Sequence, residues 1–155
     1  MGNQFRTSKK LSVMNKILKF KTDNTELSEK AFRIRTKVFV EEQNTDHDVE
    51  FDGFDDEADH FLFLADDIPA GTSRIRITEE GIKLERLAVL KEYRGKGVGA
   101  KLMEHMMKDV LPTDKKIYLN SQAVVEKVYE KFGFKRVGEM FYEANIEHYK
   151  MVYQA

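Results

Sequence analysis

The sequence predicts a mixed α/β fold of the α+β kind, with one twisted sheet of about seven strands, mostly antiparallel, and helices on both faces. Three strand-like runs between His60 and Leu90 are separated only by short turns, which is typical of an antiparallel meander. Beyond Leu90, a helix, a strand and a second helix alternate, which indicates a parallel crossover. The two patterns together favour a mixed sheet covered by helices.

The first predicted elements are a short strand and an amphipathic helix. Alternating residues predict the strand over 15–20, and Asp23 or Asn24 then offers a side-chain cap for a helix. Apolar residues at helical spacing predict one buried helix face: Leu27, Ala31, Ile34 and Val38. The polar, acidic stretch from Glu41 to Asp59 predicts a long loop or a partly ordered lid.

The meander consists of three predicted strands. The compact apolar run 60–65 and the alternating run 70–78 predict a hairpin, and a turn at 79–81 leads to the third strand over 82–90. No internal repeat or linker interrupts the chain after its first residues. Because 155 residues are enough to bury one sizeable core, we expect residues 14–155 to form a single domain.

The second half of the chain alternates helices and strands. A glycine-rich turn leads into a helix whose apolar residues lie four apart: Val98, Leu102, Met106 and Val110. A strand is predicted over 117–119, and apolar spacing predicts a second amphipathic helix that ends at Gly133: Val125, Val128, Tyr129 and Phe132. The last two strands are predicted over 134–142 and 148–153.

The composition excludes several classes of function. Lysine and arginine number 26 and aspartate and glutamate 27, so the net charge of −1 creates no overall field that would attract nucleic acid or anionic lipid. Cysteine is absent, and no recognised metal-ligand spacing occurs. No apolar run approaches the roughly 18 residues of a membrane span. We therefore expect a cytoplasmic protein without metal, nucleic-acid or membrane partners, and we expect residues 1–13 to be a flexible arm or a cloning remnant.

The segment from Arg94 to Gly99, hereafter the glycine loop, is the strongest candidate for a binding site. It lies before a predicted helix, whose first backbone N–H groups have no partner within the helix. Glycines at 95, 97 and 99 let several N–H groups converge on one phosphate, and Arg94 and Lys96 add positive charge. The loop lacks the Gly-Lys-Ser/Thr ending of a P-loop, and it follows a meander instead of opening a dinucleotide-binding βαβ unit. The alternative is ordinary turn chemistry.

Two stretches of the sequence resemble hallmarks of a known enzyme family. The run ERLAVLKEYRGKGVGAKLMEHMM, from Glu85 to Met107, resembles the acyl-CoA motif of the GNAT N-acetyltransferase superfamily, in which Arg or Gln, two residues, Gly, one residue and Gly or Ala follow each other. Arg94, Gly97 and Gly99 meet this pattern. Downstream, VYEKFGF from Val128 to Phe134 is similar to the second hallmark, a helix with a tyrosine that ends in Gly-Phe.

Three further segments resemble the ElaA-like branch of the superfamily: RIRTKVFVEEQ over 33–43, EFDGFDDEADH over 50–60 and GEMFYEANIEH over 138–148. The last segment also resembles glyphosate N-acetyltransferase. The resemblance implies the GNAT fold, in which the sheet splays at its two central parallel strands. It further implies acetyl-CoA as cofactor and transfer of the acetyl group to a primary amine of a small molecule, by direct attack in a ternary complex. Relatives are frequently dimers, so a homodimer is one expectation.

The resemblance also implies a set of cofactor contacts. Backbone groups of Leu87, Ala88 and Val89 would pair with the pantetheine arm as an added strand would. The pyrophosphate would bind the glycine loop: Arg94, Gly95, Lys96, Gly97, Val98 and Gly99. Tyr129 and the residue seven positions before it would complete the site, but that residue is Gln122 here, where the family usually has Asn.

The resemblance to the glyphosate enzyme implies His148 as the base that deprotonates the amine, a step that costs roughly 4 kcal/mol at pH 7. An imidazole titrates at about pH 6.5, which suits this role; the alternative is a histidine that only hydrogen-bonds backbone. Glu85 is the second candidate base and is otherwise a solvated strand residue. Tyr129 is expected to be the general acid toward the departing thiolate, or else a core aromatic residue.

The sequence leaves the identity of the amine open. Arg35 occupies the position that contacts anionic groups in the glyphosate enzyme, and Arg74 and Arg76 project from one strand face. With Glu85 they are the expected substrate-binding residues, and they favour an anionic amine. The eight acidic residues from Asp46 to Asp59 would instead favour a polycationic amine if they lined the cleft, and are otherwise solvated surface. A CoA-responsive binding module without chemistry and a nucleotide-phosphate site are the alternative functions.

Overall fold

The computed structural model describes residues 14–155, so the expected N-terminal arm lies outside the described residues. Within them, the strands are β1 Lys16–Phe20, β2 Asp59–Ala65, β3 Ile68–Ile77, β4 Ile82–Val89, β5 Ile117–Gln122, β6 Phe134–Glu143 and β7 Ile146–Tyr153. The helices are α1 Thr25–Arg35, α2 His47–Glu50, α3 Val98–Val110 and α4 Glu126–Glu130, and a π-helical segment, Thr36–Glu42, follows α1 directly.

The seven described strands form one sheet in the order β1-β2-β3-β4-β5-β7-β6. All neighbouring strands are antiparallel except β4 and β5, which confirms the predicted mixed and mostly antiparallel sheet. The parallel pairing is short, because it joins residues 82–84 to residues 117–119 and ends there. Beyond it, residues 85–89 of β4 and 120–122 of β5 do not pair with each other, and the gap between them is hereafter the fork.

A β-bulge in β4 lies at the base of the fork. The register of β3 and β4 shifts between Thr72 and Arg74, so that Arg86 and Leu87 together stand opposite Ser73. Arg86 has a φ of 56°, in the left-handed region that residues with side chains rarely adopt. Such a residue costs on the order of 1–3 kcal/mol, and a bulge bends its strand and increases the local twist. The bulge therefore accounts for the early separation of β4 from β5.

The sheet has an apolar core on each face. On one side, hereafter the α1 face, α1 packs on the strands through these residues: Phe20, Ala31, Ile34, Val38, Leu62, Leu64 and Ala88. On the opposite α3 face, the core includes these residues: Phe61, Phe63, Ile75, Leu84, Val98, Leu102, Met103, Met106, Val110, Leu119, Phe134 and Met151. Helices on both faces confirm the prediction, and the strands supply alternate residues to the two cores.

Two elements of the first half differ in extent from the prediction. Helix α1 ends at Arg35, earlier than the apolar spacing predicts, and Val38 reaches the core from the π-helical segment. The prediction of a loop over 41–59 is only partly correct, because the segment contains α2 and a 3₁₀ turn at Asp55–Glu57. This segment is ordered by ion pairs with buried arginines, which apolar periodicity cannot reveal.

The last predicted helix is also shorter than expected. Helix α4 spans five residues, and a 3₁₀ turn, Ala123–Val125, comes before it. Val125 and Val128 of the predicted apolar stripe are exposed, whereas Tyr129 and Phe132 pack against the core of the α3 face, so only half of the stripe joins a core. Among residues 14–155, no helix has both the length and the apolar character that crossing a membrane requires.

Candidate active site

The fork opens into a cleft of about 920 Å³ that extends from the glycine loop to the hairpin of β6 and β7. Most of the expected site residues line it: Arg76, Glu85, Leu87, Ala88, Val89, Arg94, Gly95, Gly97, Val98, Gly99, Gln122, Tyr129 and His148. Among the described residues, Arg35, Arg74 and Lys96 are the expected site residues that do not line the cleft. The fold therefore gathers most of the predicted site in one place.

The backbone of β4 presents alternate residues to the fork. The N–H of Leu90 donates to the carbonyl of Ala70 over 2.9 Å, so the backbone of Leu90 faces β3. Because backbone groups alternate in direction along a strand, those of Ala88 also face β3, whereas those of Leu87 and Val89 face the fork. Two of the three residues expected to offer backbone groups to the cofactor are therefore oriented for it.

The glycine loop leaves open space at the start of α3. Gly95 and Gly97 have φ values of 77° and 85°, and a β-carbon on either would meet no atom within 4 Å. Helix α3 begins at Val98, and Gly97 offers no side-chain cap to its first N–H groups. These N–H groups and the space beside them fit a phosphate. Gly99 differs, because it is helical and a β-carbon there would lie 3.7 Å from Cγ2 of Val89, an ordinary contact.

Two side-chain contacts connect the end of the π-helical segment to opposite walls of the fork. On the β4 side, the guanidinium of Arg94 donates to both carboxylate oxygens of Glu42, over 2.7 and 3.0 Å. The hydrogen bond from Arg94 lowers the pKa of Glu42 below its ordinary value. On the β5 side, Nε2 of Gln122 donates to Oε1 of Gln43 over 2.9 Å. Residues 42 and 43 therefore bridge the fork.

Tyr129 lies on the α3 side of the cleft. It is half-buried, and its ring packs against the core of the α3 face. Burial raises the pKa of its hydroxyl to about 12, because a phenolate would lose its hydration there. The phenol therefore keeps its proton throughout the neutral pH range.

His148 is buried at the opposite end of the cleft, on β7. Its Nδ1 lies 2.7 Å from the carbonyl oxygen of Ile146, and a carbonyl can only accept, so Nδ1 carries the hydrogen. Nε2 of the neutral ring is consequently an acceptor, and it lies 3.9 Å from Oε2 of Glu143. The ring of Phe141 stacks on the imidazole at 5.8 Å between centroids, and Gln122 stands opposite in the pairing of β5 with β7. These contacts fix both the tautomer and the orientation.

Two arginines expected to contact substrate are buried in an ion network beside the fork. Arg35 is 1% exposed and donates to Glu50 over 2.8 Å and to Asp55 over 2.7 Å. Arg74 has no exposed surface and donates to Asp55 and Glu85 over 2.8 Å each. Both guanidinium groups are satisfied by carboxylates and sealed from the cleft. The prediction that Arg35 and Arg74 contact the substrate therefore needs correction. Both arginines hold the buried ion network together and do not reach the cleft.

Glu85 is the carboxylate at the centre of this network. Burial by itself would raise the pKa of Glu85, but the hydrogen bond from Arg76 and the charges of Arg74, Lys83 and Arg86 outweigh burial and lower the pKa to about 2. A carboxylate with so low a pKa has little tendency to accept a proton near neutral pH. The geometry therefore disfavours Glu85 as the base.

The fold pairs several carboxylates of the acidic segment with cations. The guanidinium of Arg86 lies 3.1 Å from carboxylate oxygens of Glu50 and of Asp52. Asp59 pairs with Lys21 at 3.0 Å on the far side of the segment. Burial opposes ionisation of Asp52, but its hydrogen bonds and the nearby arginines hold its pKa well below the ordinary range. The paired carboxylates thus stabilise the segment, whereas Asp48 and Glu57 keep exposed carboxylates.

Several residues that line the cleft were not expected from the sequence, among them Arg86, Asn120 and Glu143. Arg86 takes its position from the bulge, for which the local sequence carries no signal. Asn120 follows Leu119, the last residue of the parallel pairing. Open sheets bind ligands at the carboxyl ends of their central strands, so the place of Asn120 along β5 could have indicated a role in the site. Glu143 depends on the exact hairpin register, which periodicity does not define.

The two separating parallel strands, the glycine loop at the start of α3 and the cleft between them define an N-acyltransferase that takes its acyl group from acyl-CoA. A family model described as "Acetyltransferase (GNAT) domain" matches residues 23–155. The chain therefore belongs to the GNAT acetyltransferase family, and the expected fold, enzyme class and acetyl-CoA cofactor agree with this membership.

Individual relatives place the chain more narrowly. It is 34% identical over 131 residues to the uncharacterized N-acetyltransferase YjcF of Bacillus subtilis, across 83% of this chain and 94% of YjcF. It is 30% identical over 125 residues to ElaA of Escherichia coli, across 77% of this chain and 82% of ElaA. The crystal structure of E. coli ElaA matches with a TM-score of 0.80 at 28% identity, and the match covers 91% of this chain and 100% of ElaA. The crystal structure of an acyl-CoA N-acyltransferase from Pseudomonas aeruginosa matches with a TM-score of 0.79 at 27% identity, and the match covers 90% of this chain and 99% of that protein. The expected ElaA-like character is confirmed.

Glu85→Gln tests the buried ion network. The variant removes the counterion that Arg74 and Arg76 share, so we expect the free energy of unfolding at pH 7 to fall by about 3 kcal/mol. The folded pKa of about 2 lies below the ordinary value of 4.5 for a glutamate, so the stabilisation is complete above roughly pH 5 and is lost as the pH falls toward 2. In urea unfolding, the deficit of the variant should therefore be smaller at pH 3 than at pH 7.

Glu79→Gln is the matched control, because Glu79 is exposed in the turn after β3 and the substitution changes the charge equally. We expect it to alter the free energy of unfolding by less than about 0.5 kcal/mol at both pH values. A Glu85→Gln deficit that is absent at pH 7, or equal at pH 7 and pH 3, would contradict the role assigned to the network.

Proposed function

We propose that the chain transfers an acetyl group from acetyl-CoA to a primary amine of a small molecule, by direct attack of the amine in a ternary complex. One observation carries the proposal: the unpaired edge of β4 lies between a phosphate-sized cradle at one end of the cleft and an acceptor nitrogen of His148 at the other. Acetyl-CoA would supply the activated acyl group. The chain has no cysteine, which favours direct attack over transfer through a cysteine thioester.

The donor would bind along the β4 wall of the fork. The N–H groups of the glycine loop and of the first turn of α3 would hold the diphosphate, and Arg94 and Lys96 would add positive charge. Backbone groups of Leu87 and Val89 would hydrogen-bond the pantetheine arm in the manner of an added strand. The apolar side chains left exposed on the cleft wall would contact the same arm: Val124, Val125 and Val128.

His148 is the proposed base. The carbonyl of Ile146 holds its Nδ1–H, which leaves Nε2 free to take a proton from the amine. This step has to offset the roughly 4 kcal/mol that separates an alkylammonium from its neutral amine at pH 7. The resemblance of residues 138–148 to the glyphosate enzyme supports the same assignment, whereas the low pKa of Glu85 does not favour the alternative base.

Tyr129 is the proposed general acid. Because burial raises its pKa to about 12, the hydroxyl stays protonated at the pH at which the amine reacts. It could then donate a hydrogen bond to the departing thiolate. A thiol with a pKa of about 8.5 already leaves readily, so the contribution of the acid should be smaller than that of the base.

The charges around the cleft favour an amine that also carries a carboxylate or another anionic group. Three cations there keep part of their side chains exposed, Arg76 at 14%, Arg86 at 17% and Lys83 at 19%. Together with Arg35 and Arg74, they face four carboxylates that are less than a quarter exposed, Glu50, Asp52, Asp55 and Glu85, and Arg76 also lies 4.0 Å from the more exposed Glu57. A polycationic amine finds less support, since Glu50 and Asp52, the acids of the segment that line the cleft, are already paired with arginines.

A thiol-release screen with acetyl-CoA over amino acids, amino sugars, polyamines, aminoglycosides and peptide N-termini tests activity and substrate class together. We expect release with amines that carry a carboxylate. With such an amine, His148→Gln should lower kcat by about 10²- to 10⁴-fold because it removes the base, and Tyr129→Phe by about tenfold. CoA binding, measured by calorimetry, should persist in both variants.

His105→Gln is the control for these variants, because His105 is exposed on α3 and does not line the cleft. Its kcat should equal that of the wild type. CoA binding without thiol release for any amine would contradict the enzymatic proposal and favour a binding module. Wild-type rates in both His148→Gln and Tyr129→Phe would contradict the roles of these two residues.

The proposed diphosphate site has to compete with Glu42 for Arg94. Removing that carboxylate should free the guanidinium, and an exposed pair of this kind contributes about 0.2–1 kcal/mol. We therefore expect Glu42→Gln to tighten CoA binding by about two- to fivefold in calorimetry at low salt, and less at high salt. Glu41→Gln makes the same charge change one residue away and should leave the affinity nearly unchanged. Unchanged or weaker binding in Glu42→Gln would contradict the competition.

A further inference from the structure

We infer that the cleft binds its amine as a primary ammonium ion, held between the carboxylate of Glu143 and Nε2 of His148. The two acceptors are hereafter the acceptor pair, and Asn120 positions the carboxylate of Glu143. This inference rests on the proposed function for the role of the cleft. It adds Glu143 as a specificity-determining residue and defines the chemical class of the group that the site recognises.

The acceptor pair lies at the base of the fork. Asn120 is the first residue of β5 beyond the parallel pairing, which ends at Leu119. Leu119 belongs to the core of the α3 face, so the next side chain, Asn120, faces the α1 side. Gln122 shares that face, and His148 stands directly opposite it in the antiparallel pairing. Asn120 and His148 thus share the face opposite the one where Tyr129 packs.

The hairpin of β6 and β7 sets the position of Glu143. Ala144 and Asn145 form its two-residue turn, and both have positive φ values, 52° and 62°, as in a type I′ turn. The turn pairs Glu143 with Ile146, two residues before His148 on the same face. Nδ2 of Asn120 donates to Oε1 of Glu143 at 3.4 Å, which leaves Oε2 to point toward the imidazole.

The separation of the acceptor pair suits one nitrogen between the two atoms. At 3.9 Å, Oε2 of Glu143 and Nε2 of His148 are too far apart for a direct hydrogen bond. A nitrogen at ordinary hydrogen-bond distance from both atoms, about 2.8 Å, fits between them. The directions from this nitrogen to the two acceptors then enclose nearly a right angle. In the neutral ring Nε2 has no hydrogen of its own, since Nδ1 carries it. The site therefore offers two acceptors and calls for a ligand atom with at least two hydrogens to donate.

A primary ammonium meets this requirement because it carries three N–H donors and a positive charge. A secondary ammonium meets it only by donating both of its hydrogens, and a tertiary or quaternary ammonium, with at most one donor, does not meet it. The carboxylate of Glu143 is 43% exposed at the side chain, so it can reach a ligand in the cleft. In the reaction, one N–H bond of the ammonium breaks, Nε2 of His148 takes the proton, and the amine keeps the freed electron pair for attack. The charge passes to the imidazolium, which Glu143 then stabilises.

The test uses two cations of equal charge on the full chain with and without bound CoA. Methylammonium chloride and tetramethylammonium chloride are titrated at pH 7 and constant ionic strength, while NMR follows the ring resonances of His148. We expect a saturable shift with methylammonium and none with tetramethylammonium, which has no N–H. Glu143→Gln should weaken methylammonium binding at least about tenfold, because a charge-assisted hydrogen bond is lost.

Glu147→Gln is the matched control, because Glu147 lies on the same hairpin, is exposed and projects from the other face. It should leave methylammonium binding unchanged. The inference is overturned by equal shifts with the two cations, by equal weakening in Glu143→Gln and Glu147→Gln, or by no shift with either cation. The proposed function is judged separately, by CoA binding and by thiol release, so either can fail while the other stands.

Discussion

The separation of β4 from β5 after three paired residues is the constraint on which the rest of the site depends. Two parallel strands that stayed paired would use all their backbone groups and leave no cleft. The bulge at Arg86 bends β4 away, so that one edge of a central strand faces open space in place of a neighbour. A central strand edge inside a sheet is costly unless something pairs with it, and an acyl-pantetheine arm has amide groups that can do so.

The strained bulge persists because the surrounding charges hold it. Arg86 is anchored by Glu50 and Asp52, which in turn share Arg35 and Arg74 with the remaining carboxylates of the network. The acidic segment is therefore a clamp on the base of the fork. The alternation of the sheet then separates the two proposed catalytic residues: Tyr129 packs on the α3 side, and His148 faces the α1 side. In the proposed mechanism, donor and amine would approach the fork from opposite faces.

The sequence was sufficient for the features that depend on local patterns. The order of strands and helices follows from periodicity, and the glycine loop follows from residues that permit positive φ before a helix. It was insufficient where function depends on contacts between distant segments. Arg35 and Glu50 are far enough apart that nothing predicts their burial together, and Val128, which has core-like spacing, lines the cleft instead. The bulge at Arg86 has no glycine or proline to announce it.

We propose that the fork edge of β4 binds the donor through alternate residues. The decisive test is amide hydrogen exchange of single residues, measured by NMR with and without saturating acetyl-CoA. We predict that exchange slows at Leu87 and Val89 by a much larger factor than at Ala88, whose N–H already faces β3. Equal slowing at all three residues, or no slowing while acetyl-CoA is bound, would contradict it.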